Sequence, residues 1–322
     1  MTTRSTQTAP PLPGAGAMGR VSVRIKKVDA FTETPLTGNP AGVVEDAAGL
    51  SEERMQLIAR EMAAPETAFI LPAERPGADL RIRWFTPTVE VPLCGHATIA
   101  AFHALAEDGM YGMLEPNTYH FTVETRSGNL PVTVEKGPGG VNISFGLHVP
   151  DFVRAGQYKL DVMRVLNISL DEFENRMPIV RTDYLYVPVR RLHTMFAMKP
   201  NFFALSQFLR NRNLLGLCAF TTETVERTSA VHSRFFAPPV GIEEDPVTGS
   251  ANGPLGAYLF RFGKLEAPGG SLTLVGEQGD VMGRKGRVLI HLSVEKGEIG
   301  SLRIGGRAVT ILSGQMLLAS GA

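Results

Sequence analysis

Two stretches of this 322-residue chain repeat one another. Ala68-Phe69, Arg83, Phe85, Pro87 and Val89 recur as Ala219-Phe220, Arg234, Phe236, Pro238 and Val240, each displaced by 151 positions: six identities in one gapless 27-residue window. Unrelated sequence of ordinary composition gives about one or two. Both copies have the same order: a β-type run ending near Ala-Phe, a second run built on R-x-F-x-P, a turn, then a helix of small residues. A chain of this kind folds as two similar lobes that divide near residues 147–180. Residues 21–147 form the N-terminal lobe and 148–322 the C-terminal lobe, with the last strand a candidate to return to the first.

Between the repeats, short β-type runs extend from residues 21–28 to 301–304. Few helices separate them. Ser51 followed by Glu52 and Glu53 is an N-cap with acids in the first turn, and it predicts a helix ending near residue 62. Further helices are expected over 98–107, 203–210 and 250–260. The pattern is α+β rather than regular βαβ alternation.

Charge narrows the partners. Lys plus Arg and Asp plus Glu number 32 each, so no basic field exists for nucleic acid or an anionic membrane. A small molecule is the expected partner. Cys94 and Cys218 are too few for a disulfide framework, and no CxxC or HExxH spacing points to a metal, so a reducing cytoplasm is expected. Residues 1–20, rich in Thr, Pro, Gly and Ala, read as a disordered tail, and Met18 is a candidate natural start. No apolar run is long enough for a membrane span.

Two facing lobes leave a cleft, a favoured place for ligands. The turn-to-helix junctions at Cys94–Thr98 and Asp245–Ser250 then face each other, and the free backbone N–H groups of helix starts hold an anion. The expected substrate is a small carboxylic acid. Departures from the repeat are where chemistry is sought. In the gapless comparison Cys94 stands against Asp245, Glu66 against Leu217 and His96 against Val247. A carboxylate in a partly apolar setting has a raised pKa, which suits proton transfer. Each residue also has a structural reading: Glu66 as a surface acid or strand cap, His96 as a helix cap, Cys94 as a small buried residue, Asp245 as an N-cap or Asx turn before Pro246. Asn39, before Pro40 in a tight turn, either bonds a carboxylate or makes its own turn. Cys218 lies in the apolar run LLGLCAF and reads as core.

The segments VDAFTETPLTGNPAGVV, ETAFI, RWFTPTVEVPLCGHATIA, RFFAPPVGIEEDPVTGSA and EQGDVMGR, in this order over most of residues 25–290, resemble the PhzF-like (phenazine-biosynthesis isomerase) family, related in fold to diaminopimelate epimerase and proline racemase. The resemblance implies a pseudo-two-fold fold of two lobes, each a half-open β-barrel around a central helix, with a cofactor-free cleft site and homodimerisation. It implies that Glu66 moves a proton between substrate carbons, while Cys94, Gly95, His96, Asp245, Gly249 and Ser250 bind or assist and Asn39 lines the pocket. Related two-thiol epimerases carry a cysteine at both junctions. Here Cys94 matches the first and Asp245 is taken for the second, so a one-carboxylate isomerase is expected ahead of a racemase using Cys94 with a carboxylate, or a non-catalytic acid-binding protein. Two positions depart from the family pattern: Pro65 stands where a serine is frequent, removing a hydroxyl and an N–H, and Asn252 where a histidine is frequent.

Overall fold

The computed structural model describes residues 20–263 and 265–319. Apart from Arg20, the expected N-terminal tail and Met18 lie outside the described residues. Strand Arg20–Ala30 pairs on one side with the last strand, Ala308–Ala319, and on the other with Asn39–Val44. The ladder runs on through Glu66–Leu71, Leu80–Phe85, Asn117–Thr125, Gly128–Gly137 and Gly140–Leu147. Gly140–Leu147 then pairs antiparallel with Glu298–Gly306, Ser144 lying opposite Gly305. From there the ladder continues through Gly286–Glu295, Ser271–Gln278, Val231–Ala237, Gly216–Thr221 and Tyr184–Pro188. One sheet of 18 strands thus passes from lobe to lobe.

Each half of the sheet curls round one helix. Helix Gly95–Glu107 touches strands on several sides of its lobe, and Gly249–Phe262 packs on the strands of the second. Both are apolar nearly all round, as a fully enclosed helix must be. The two share one hydrophobic core with Phe31, Trp84, Phe145, Tyr258 and Ile304. At the C-terminal end of the first helix, Lys26 reaches Glu107 at 3.0 Å and Asp108 at 2.8 Å, and Lys136 donates to the carbonyls of Ala106 and Met113. Cations at this end complement the helix dipole and leave the N-terminal end to attract anions. No helix among the described residues is long and apolar enough to cross a membrane.

Helix Glu52–Met62 starts where expected, Ser51 accepting the Arg54 N–H at 3.3 Å. The central helices begin earlier than the 98 and 250 expected, at Gly95 and Gly249, because small residues without capping side chains gave no start signal. Helices Lys159–Leu166 and Leu192–Ala197 were not expected either, being too short for a clear period.

The repeat holds in three dimensions. Arg83 forks onto Glu90 and lies over Phe85, and Arg234 forks onto Glu244 and lies over Phe236, both guanidiniums 5.1 Å from the ring centre. These pairs also correct the gapless comparison. Trp84 faces Val91 across its strand pair, whereas the equivalent Phe235 faces Asp245. The turn at Pro238–Val240 and Gly241 adds three residues to the second copy, so beyond it the displacement is 154. The counterpart of Cys94 is therefore Thr248, each being the N-cap of its helix, and the counterpart of His96 is Ser250. Asp245 corresponds to Val91. The pairing of Glu66 with Leu217, ahead of the insertion, stands.

The second central helix lies unusually close to its strands. A Cβ on Gly256 would come within 2.5 Å of Ile290 Cγ2, and one on Gly253 within 2.6 Å of Leu147 Cδ1. Gly256→Val, which forces that contact apart, is expected to lower stability by about 1–3 kcal/mol in urea unfolding; unchanged stability would show that the helix does not sit this deep.

Candidate active site

Helix Glu52–Met62 ends at Ala63 in the left-handed region (φ 49°), and Pro65 forces the chain into an extended path. Glu66 follows as the first residue of its strand, opposite Ala41 in parallel register. Its side chain is 13% exposed. Burial, then the negative charge of Asp245, pushes its pKa from 4.5 up to about 7, with a contact from Cys94 opposing them.

His96 lies across from it, Nε2 3.3 Å from Glu66 Oε2. Burial lowers the imidazole to about 4, against a contact with the Pro40 carbonyl, so the ring is neutral near pH 7. The two atoms are close but not aligned as a hydrogen bond, and each is buried without a partner. Such atoms are costly unless a ligand or water completes them. Cys94 Sγ sits 3.5 Å from His96 Nδ1. Burial first, then the Glu66 charge, raises its thiol well above the usual range, so it is a weak nucleophile.

Asp245 comes from the other lobe. Asn39 Nδ2 donates to its Oδ1 at 2.9 Å and to the Val247 carbonyl at 2.8 Å. A carbonyl only accepts, so this amide orientation is fixed. Gln278 is fixed in the same way: its Oε1 accepts the Thr248 N–H at 3.1 Å and its Nε2 donates to the Asp245 carbonyl at 2.8 Å. Gln278 Nε2 also donates to Thr248 Oγ1 at 3.1 Å, which directs the Thr248 hydroxyl proton onto Asp245 Oδ2. Asp245 therefore accepts at both oxygens, as an ionised carboxylate does. Burial still pushes it up to about 6, against the Thr248 and Asn39 bonds. Near neutrality Asp245 is charged, and that charge keeps the Glu66 proton on.

The helix starts meet at one point. Cβ atoms built on Gly95 and Gly249 would lie 3.9 and 2.6 Å from the same Ile304 methyl. Ser250 is exposed there, its hydroxyl 3.1 Å from Tyr184 OH. Asn39 is not in a tight turn: it opens a strand, fully buried, and its side chain crosses between lobes. Asp245 closes strand Ile242–Asp245 and is neither N-cap nor Asx turn. Cys218 is core, fully buried opposite Phe235. Asn252 bonds the Thr248 carbonyl and Gln278, so it braces the helix start. Sequence reasoning missed Thr248, Gln278 and Tyr184. A three-residue gap in the repeat would have exposed Thr248; Gln278 lies in the EQGDVMGR segment but was not singled out, and Tyr184 carries no local signal.

Glu66, Cys94 and His96 also offer three ligand-type atoms within 4.8 Å of one another. A thiophilic cation takes the thiolate, and the raised thiol pKa opposes that.

Comparison with known proteins identifies the family. The family described as phenazine biosynthesis-like protein (PhzC-PhzF) matches residues 28–314. An uncharacterized isomerase of Clostridium acetobutylicum is 38% identical over 299 residues, covering 91% of this chain and 97% of its own. A Bacillus anthracis crystal structure of the PhzF family superposes with a TM-score of 0.83 at 33% identity, covering 92% of this chain and all of the other. The chain belongs to this family and is an isomerase. A hydroxyproline epimerase of Agrobacterium vitis, at 15% identity and a TM-score of 0.56 over 93% of each chain, has the same fold.

Glu66 keeps its proton to about pH 7 when folded but only to about 4.5 when unfolded, so stability falls as pH rises through that window. Glu66→Gln has no proton to lose there. The variant is expected to be more stable than the parent at pH 8, on the order of 1–3 kcal/mol, and about equal at pH 4, as read by urea unfolding.

Proposed function

We propose that the chain catalyses a cofactor-independent proton shift between carbons of a small carboxylic acid, with Glu66 as the single acid/base. The observation that carries this reading is a buried carboxylate held near pH 7 beside two converging helix starts. Ionised Glu66 takes a proton from a carbon α or vinylogous to a carbonyl or carboxylate. The C–H electron pair moves into the conjugated system, and negative charge collects on oxygen. The backbone N–H groups of Gly95, His96, Gly249 and Ser250 are the proposed donors to that oxygen, those of Thr98 and Ala251 being given to the Cys94 and Thr248 carbonyls. Glu66 then returns the proton to another carbon on the same face. Neutral His96 lines the pocket beside Glu66, and Asp245 keeps Glu66 basic enough to act. A homodimer is part of the same proposal, on the family resemblance.

An epimerase using Cys94 as one of two bases is the second reading, supported by the thiol's place beside Glu66. Its raised thiol, and a threonine at the second junction, weigh against it.

The test is solvent-deuterium exchange followed by NMR over amino acids, hydroxyprolines and dihydroaromatic acids. Glu66→Gln is expected to lose about 10²–10⁴-fold in exchange rate while folding normally, and Cys94→Ala to keep most of it. Near-normal exchange in Glu66→Gln would sink the assignment; loss in Cys94→Ala alone would favour the epimerase. A binder without activity exchanges nothing. Because the base is the ionised form, exchange should rise with pH through about 7. Asp245→Asn removes the neighbouring charge and should move that rise to lower pH; a rise left in place would contradict the coupling.

A further inference from the structure

The segment EQGDVMGR brings Gln278 to the site and ends on Arg284, for which the proposed reaction has no role. Gln278 holds one side of the bond between the lobes, since it fixes Asp245 and Thr248. Farther along the same loop, Arg284 reaches the other side. Its Nε donates to the Gly38 carbonyl at 2.9 Å, and its Nη2 to the Thr37 carbonyl at 3.0 Å and to Asp29 Oδ1 at 2.7 Å. Gly38 is the residue before Asn39. The loop itself is fixed: the Arg284 N–H returns to the Gly279 carbonyl at 3.0 Å, and a Cβ on Gly279 (φ 87°) would come within 2.6 Å of the Pro246 carbonyl oxygen. One short loop thus grips the chain on both sides of the Asn39–Asp245 bond.

The gripped segment needs holding. Phe31 and Leu36 both stand in the left-handed region, at φ 62° and 67°, without being glycine. Such residues persist only where their surroundings over-determine them. The Phe31 carbonyl accepts the Arg287 N–H at 2.8 Å. Leu36 gives its N–H to Asp29 Oδ2 at 2.8 Å, while its own side chain is 69% exposed and packs little. Asp29 is fully buried, and its two oxygens are divided between Leu36 and Arg284. A Cβ on Gly38 would meet the Ala30 carbonyl oxygen at 2.3 Å, so the turn offers a clamp only backbone carbonyls at that position. A planar guanidinium can take two carbonyls and a carboxylate together, whereas the single nitrogen of a lysine cannot stand at both Nε and Nη2. The charges acting on Glu66 and Asp245 do not include Arg284, so its influence on them passes through Asn39.

We propose that Arg284 is a positioning residue for the acid/base site, clamping the Thr37–Gly38 turn onto Asp29 so that the Asn39 amide meets Asp245 across the lobes. The proposal rests on the proposed function of Glu66, and its test needs no substrate. With the clamp loosened, Asp245 loses a donor to its charged form and takes up a proton more readily. Glu66, without that charge beside it, then gives up its own proton at lower pH.

The test is a carbon-13 carboxyl NMR titration, with the Glu66 signal identified by its loss in Glu66→Gln. In Arg284→Lys, which keeps the charge but not the fork, the Glu66 midpoint is expected to fall by about 0.3 or more. Adding Arg284→Lys to Asn39→Ala should bring no further fall, because residues acting through one bond are not additive. An arginine that only supports the fold would lower stability in urea and leave the midpoint in place. A midpoint that falls by less, or rises, or drops again by the full amount in the Asn39→Ala background, would overturn the role. Arg284 is 28% exposed, so the lysine variant should fold, which circular dichroism checks. Arg284→Gln, with a donor but no charge, is the second variant and should shift the midpoint the same way. A lowered midpoint with no exchange of any acid would defeat the isomerase reading alone, and exchange with the midpoint unmoved would defeat the positioning role alone.

Discussion

The hydrogen bond from Asn39 to Asp245 joins residues 206 positions apart and closes the site between the lobes. It anchors the polar group around Asp245. Asn39 and Thr248 hold the two oxygens of Asp245, and Gln278 holds Thr248, its own orientation dictated by backbone groups that admit one direction only. A carboxylate so surrounded by donors stays ionised despite burial. Its charge, added to burial, carries Glu66 towards neutrality. Breaking the bond would free Asp245 to take a proton, and Glu66 would lose the neighbour that tunes it.

Among the described residues no lysine or arginine acts on Glu66, Cys94, His96 or Asp245. The positive end of the field comes from helix starts instead. That works because the opposite end of the first helix is neutralised by Lys26 and Lys136, and because glycine lets the backbone at Gly249 approach Ile304, and that at Gly95 approach Phe145, without a side chain in the way. Fixed N–H groups suit a charge that appears and disappears during reaction, since they need no reorganisation. A lysine in the same place would lower the pKa of Glu66 and undo what Asp245 does.

The two-lobed fold was legible because packing repeats. Arg83 and Arg234 make the same fork and the same cation–π contact, so both copies had to keep them. Glu66 was legible for the opposite reason, as a charge where the other copy has the fully buried Leu217. Legibility failed at Pro238–Gly241, where three added residues break the register and made Asp245 look like the partner of Cys94. It failed again at Gln278, a polar side chain in a β run whose role depends on Thr248, 30 residues earlier. Tyr184 could be matched to Pro40 only through strand pairing, Ala41 lying opposite Glu66 and Leu185 opposite its counterpart Leu217, which no fixed displacement in sequence reproduces.

The symmetry of the scaffold and the asymmetry of its chemistry bear on stereochemistry. Inverting a carbon takes one group on each face, one removing a proton and the other supplying it. The equivalent junctions here carry Cys94 and Thr248, and the Thr248 hydroxyl points its proton at Asp245 with Gln278 locking it from behind. Its proton is held by Asp245 and its oxygen by Gln278, so the hydroxyl is engaged on both sides. The position facing Glu66 by symmetry is Leu217, which has no proton to give. Glu66 titrates near 7, and Asp245, near 6, is tied up by Asn39 and Thr248, so in the proposed reaction the proton would leave and return on the Glu66 face. A shift between carbons follows more readily from this geometry than inversion at one.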